Sequence, residues 1–217
     1  MLTAVLAFAG VAAIINVTPG LDTMLVLRTS VAGGRATGLV SGLGINVGCL
    51  AWGLAAAAGV TGLLAASHVA YDAVRIAGAA YLTWLGCCAL WRSRRRRGQE
   101  PQADETAVED PAGPEPVRLA AFRSGLTTNL LNPKAGIFYM SLLPQFIPRG
   151  EPVFGTSMLL TLIDVTELLI WFCVLSAAAS ALTARINRKS FRRRMEQISG
   201  VVFIGFAVNL VVDRAGA

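Results

Sequence analysis

The sequence predicts an all-α integral membrane protein: six transmembrane helices, arranged as two inverted three-helix repeats, with proline interrupting the first and fourth helices. Three observations lead there. Of the 217 residues, 54% are hydrophobic and only 15% are charged, whereas a soluble domain carries about a quarter charged residues. The charges are bunched, which leaves apolar runs of the roughly 20 residues needed to cross a bilayer. Two of those runs hold a proline among polar residues, at corresponding places in the two halves of the chain.

The apolar segments span residues 2–27, 38–64, 69–91, 119–147, 153–184 and 195–213. The first contains Asn-Val-Thr-Pro-Gly-Leu-Asp, residues 16–22. Pro19 has no N–H and clashes with the preceding turn, so the carbonyl of Ile15 loses its helical partner. Gly20 permits close approach of another backbone. A freed carbonyl in a bilayer costs several kcal/mol unless something satisfies it. A cavity holding water or a polar substrate does so, and Asn16, Thr18 and Asp22 add polar side chains there. An acid in a membrane helix costs at least about 2.5–3.5 kcal/mol on insertion scales and marks function by default. Asp22 could carry a proton, pair with a basic residue, or cap the second half-helix.

The second segment repeats small residues, with GxxxG spacing at Gly38/Gly42 and Gly44/Gly48. Close helix packing follows from that spacing, and Asn46 is a pore-lining candidate among them. In the third segment, Asp72 and Arg75 form an interfacial pair, and His68 precedes it in a loop. A hydrophilic stretch follows. It opens with five arginines between Arg92 and Arg97, then turns acidic and proline-rich from Gly98 to Pro116. Such a composition buries no core and reads as a disordered linker. The resulting division is a first repeat at 1–91, a cytoplasmic linker at 92–118 and a second repeat at 119–217.

The fourth segment carries Thr-Thr-Asn-Leu-Leu-Asn-Pro-Lys, residues 127–134. Asn129, Asn132, Pro133 and Lys134 form the counterpart of the first interruption. Matched breaks in corresponding helices point to a central binding site. Lys134 could pair with Asp22, bind a carboxylate, or snorkel to the interface. In the fifth segment Thr161, Asp164, Glu167 and Trp171 recur at helical spacing on one stripe. Two acids on one face should meet a cavity, so Asp164 and Glu167 join Asp22 as proton-coupling candidates, with Thr161 and Trp171 lining the pore.

Basic residues give the orientation. Arg28 and Arg35, the arginines of 92–123, and the six basic residues of 185–194 fall on one side if the N-terminus is outside. The positive-inside rule then places both termini outside. The net charge of +6 reflects these loops and not a nucleic-acid surface. The N-terminal segment lacks a basic n-region and is expected to remain as a membrane helix. The four cysteines, Cys49, Cys87, Cys88 and Cys173, have no metal or redox spacing and read as packing residues. No pattern calls for a cofactor, a metal or catalysis.

Several stretches resemble the LysE/RhtB family of amino-acid exporters. They are "TPGLDTMLVLRTSVAGGRATGLVSGLGINVG", "AGAAYLTWLG", "GLTTNLLNPKAGIFYMSLLPQF" and "ISGVVFIGFAVNL". They occur in family order and cover nearly the whole chain outside the linker. The resemblance implies six transmembrane helices in the bacterial inner membrane. It also implies export of amino acids or close derivatives, driven by protons. Pro19, Gly20, Asp22, Asn132, Pro133 and Lys134 match family motif positions, and Asp164 fits a frequent acid. Leu21 stands where the family usually has a second proline, while Asn46 and Glu167 are further departures. The implied partners are an amino acid, protons and membrane lipid; a homodimer is left open. The alternative within the superfamily is a divalent metal-ion exporter, with Asn16, Asp22, Asn132 and Asp164 as oxygen ligands.

Overall fold

A computed structural model describes residues 1–66, 117–148 and 150–179, with single positions between 76 and 91 and between 194 and 205. All regular structure among the described residues is helical. The predicted third and sixth segments fall outside the described residues, apart from those single positions. So do His68, Asp72, Arg75 and most of the linker.

Helix α1 spans Leu2–Val17. It is apolar throughout, and it ends where Pro19 removes the next donor. Both the backbone N–H and the hydroxyl of Thr18 donate to the Ile14 carbonyl, at 3.2 and 2.7 Å. The chain resumes as α2 at Leu21, and its first new bond runs from Met24 N–H to the Gly20 carbonyl at 3.0 Å. The first predicted segment is therefore a broken helix, as its proline dictates.

Helix α2 covers Leu21–Ala66 but is not one rod. Gly34 has φ 81° and ψ 171°, a conformation open in practice only to glycine. A straight helix of this length would reach roughly 70 Å, more than twice the bilayer core. The Gly34 break divides it into the end of the first predicted segment and the whole of the second. Beyond it, α2 packs on α3 (Val117–Leu130) and α5 (Val153–Ala177).

The glycine stripe explains the closeness of that packing. A Cβ on Gly44 would lie 2.1 Å from the Phe122 carbonyl oxygen, and one on Gly125 would lie 2.1 Å from that of Ser41. These are backbone atoms, so α2 and α3 touch main chain to main chain. Gly42 makes room for the Phe172 ring, and Gly53 for Thr161, on the α5 side.

The fourth segment is also broken. After α3 the chain turns at Leu131–Asn132 and restarts as α4 (Pro133–Ile137). Proline at the first helical position costs no bond there, and the Asn132 side chain caps the turn by accepting from Lys134 N–H at 3.0 Å. A π-helical turn, Phe138–Leu142, and a 3-10 turn, Leu143–Phe146, complete the segment. Phe8 of α1 packs on the rings of Phe138 and Phe146, with centroids 5.8 and 5.4 Å away. The two broken segments thus meet through an aromatic cluster as well as through polar groups.

Two of these helices are long and apolar enough to cross a membrane: Leu21–Gly62 and Val153–Ala177. The outward face of α5 presents Leu162, Ile170 and Val174. A face this rich in large apolar side chains suits lipid better than water, and the one hydroxyl between them, on exposed Thr166, donates to the Leu162 carbonyl at 2.7 Å.

Candidate functional site

A cavity lies where the two broken segments face each other. Its free space, counting the mouth, is about 470 Å³. Asn16, Thr18, Gly20 and Asp22 come to it from the first segment, Asn129, Asn132 and Lys134 from the fourth, and Asp164 from α5. The two interruptions, more than a hundred residues apart, form one site. Pro19 and Pro133 shape its walls without lining it. Gly20 plays a different part from the one expected of it. The closest approach to its missing Cβ is the Lys134 ammonium at 3.7 Å, with the lysine Cδ next at 3.9 Å, and not a neighbouring backbone.

The two acids are held differently. Asp164 is buried with both oxygens partnered: Oδ1 accepts from Asn16 Nδ2 at 2.9 Å and Oδ2 accepts from the Tyr139 hydroxyl. Asp22 is half satisfied. Its Oδ2 accepts from Asn129 Nδ2 at 3.0 Å, while its Oδ1 is buried with no hydrogen-bond partner. Asn129 is itself completely buried, and the same Nδ2 lies 3.3 Å from Cys49 Sγ. Its carbonyl Oδ1 sits over Gly48, where any side chain would collide at 2.6 Å. Gly48 is therefore required by Asn129, in addition to helix packing.

Lys134 does not snorkel. Its Nζ donates to the Ile15 carbonyl at 2.8 Å and reaches the Thr18 carbonyl at 3.4 Å. The carbonyl orphaned by Pro19 has found its donor on the other half of the chain.

Besides the two prolines, four predicted residues are absent from the cavity lining. Thr161 is fully buried against Gly53, and its hydroxyl donates back to the Ser157 carbonyl at 2.8 Å. Asn46 donates to the Val165 carbonyl at the long distance of 3.5 Å. Its Oδ1, Glu167 Oε2 and Trp171 Nε1 are buried without partners, outside the cavity lining. Conversely, Tyr139, Thr23 and Cys49 line the cavity and were not singled out. Tyr139 stood in the quoted fourth-segment motif, five residues past Lys134. A hydroxyl that deep in an apolar run was the available signal. Among the described residues, no group of three or more His, Cys, Asp or Glu is placed to hold a metal ion.

The family model for LysE type translocators matches residues 13–214. The chain belongs to this family. The match spans both broken segments, so the cavity described above is a feature of a LysE type translocator. Relatives include leucine efflux proteins of Klebsiella pneumoniae subsp. pneumoniae and Salmonella choleraesuis. Both are 32% identical, covering 92% and 90% of this chain and 90% and 89% of theirs. An uncharacterized membrane protein of Bacillus subtilis, YrhP, is 26% identical over 94% of this chain and 96% of its own length. No solved structure matches the chain. As a LysE family member the protein is a membrane translocator.

Proposed function

We propose that this translocator exports amino acids across the bacterial inner membrane, coupled to the proton gradient. The observation that carries the reading is Asp22 Oδ1: a buried carboxylate oxygen without a partner, in a cavity between two broken helices. A buried acceptor left unpaired is costly, and a substrate ammonium supplies the missing donor. Asn129 holds the other oxygen and fixes the carboxylate's direction. The leucine efflux proteins among its relatives support an amino-acid cargo. Asp164, tied to Asn16 and Tyr139, serves coupling more readily than substrate contact, because both its oxygens are occupied.

In this reading residues 1–91 and 119–217 are inverted three-helix repeats joined by a cytoplasmic linker. Both termini face outward, and one half rocks against the other around the site. A divalent-metal cargo fits less well. Both Asp164 oxygens already accept a hydrogen bond, and the Lys134 ammonium lines the same cavity.

The test is efflux from cells loaded with leucine-containing dipeptides. Cells producing the protein should release the freed amino acid faster than cells without it, and Asp22→Asn should return release to the background. Background release from producing cells for every amino acid supplied, or full activity of Asp22→Asn, refutes the reading.

A further inference from the structure

We propose that Lys134 is a positioning residue: its ammonium closes the broken end of the first helix across the two halves of the chain, and it does not receive the substrate's carboxylate. The geometry is specific. Pro19 cannot donate to the Ile15 carbonyl, so that oxygen has no helical partner. The Lys134 ammonium stands 2.8 Å away, in the place of the missing N–H, with the Thr18 carbonyl as a second acceptor at 3.4 Å. The C-terminal end of α1 is the negative end of its dipole, where a cation is favoured.

The side chain is also aimed from a fixed base. Pro133 begins the turn, and the Asn132 side chain accepts from the Lys134 backbone N–H at 3.0 Å. Gly20 leaves room beside the ammonium. An ammonium has three donors, and two of them point at carbonyls of the first segment. The cation that a carboxylate would need is already committed to the broken helix.

The transport arm of the test rests on the amino-acid export reading; the exchange arm does not. Purified full-length wild type, Lys134→Met and Lys134→Arg are placed in proteoliposomes. Leucine and leucinamide, which lacks the carboxylate, serve as probes. Lys134→Met is expected to lower the maximal rate about tenfold or more, with KM within about threefold, and equally for both probes. Lys134→Arg is expected to recover a substantial part of the rate. A rise of about tenfold in KM for leucine but not for leucinamide overturns the proposal, because it makes Lys134 a carboxylate receptor.

Hydrogen exchange on the same proteins in detergent gives the second readout. Amides of residues 14–24 are expected to exchange about tenfold faster in Lys134→Met and at the wild-type rate in Lys134→Arg. Unchanged exchange in Lys134→Met rejects the closure. If the wild type moves no amino acid, the export reading fails, and the exchange result alone then supports or rejects the role of Lys134.

Discussion

Gly125→Ala tests the contact on which the site is built. A Cβ at this position would lie 2.1 Å from the Ser41 carbonyl oxygen and 3.1 Å from Ile45 N. Carbon-to-oxygen contacts between helices sit at about 3.3–3.6 Å. The α2 and α3 backbones must therefore separate by roughly 1.2 Å, since neither obstacle is a movable side chain. Overpacking of this kind costs about 1–3 kcal/mol, or ~2–12 °C in midpoint for a chain of this size. The displacement also reaches the site. Asn129 lies one turn beyond Gly125 on the same face. Its 3.0 Å bond to Asp22 does not survive a shift of about 1 Å, given the ~3.2 Å limit for a good bond.

The assay is thermal unfolding of detergent-purified protein, paired with efflux from dipeptide-loaded cells. Gly125→Ala should lower the midpoint and reduce transport together. Gly59→Ala is the control, because nothing lies within 4 Å of its Cβ; it should be neutral or slightly stabilising. A Gly125→Ala protein with unchanged midpoint and unchanged efflux would refute the backbone contact and the positioning of Asn129 that depends on it.

Other outcomes are expected on the same grounds. Gly48→Ala should cut transport about tenfold or more, since its Cβ would displace the buried Asn129 amide; wild-type transport by this variant contradicts the Asn129–Asp22 pairing. Thr161→Val should leave KM unchanged, because Thr161 faces Gly53 and not the cavity; a severalfold change in KM restores it to the pore. Tyr139→Phe removes one of the two donors on Asp164, which costs about 1–3 kcal/mol for an acceptor left unsatisfied. It should lower the thermal midpoint measurably, and an unshifted midpoint counts against the bond.

Much of the site could be read from the residues because its signals are local. A proline in an apolar run must orphan the carbonyl four residues back, so the vacancy at Ile15 was legible from Pro19 alone. Its occupant was not: the donor comes from Lys134, which only tertiary structure brings near. The helical stripe on α5 brings Asp164 to the cavity and sets Thr161 against Gly53 instead. Residues that share a helix face still meet different neighbours at different depths, and α2 presents Gly53 at one level while the cavity opens at another. The cysteines read as small packing residues by composition. Cys49 does pack, yet it also lies beside the Asn129 amide, a relation that no spacing within its own helix encodes. Glycine spacing showed that α2 packs closely, but not that one of those glycines seats the buried Asn129 amide.

The cavity between the broken segments holds two carboxylates, Asp22 and Asp164, against one ammonium, that of Lys134. With all three ionised, the empty site is one positive charge short of neutrality, in surroundings where an uncompensated charge is expensive. One proton makes good the deficit, whereas a zwitterionic amino acid brings its own carboxylate with its ammonium and leaves the sum unchanged. A proton alters the total charge of such a site; a zwitterion alters only where the charges lie.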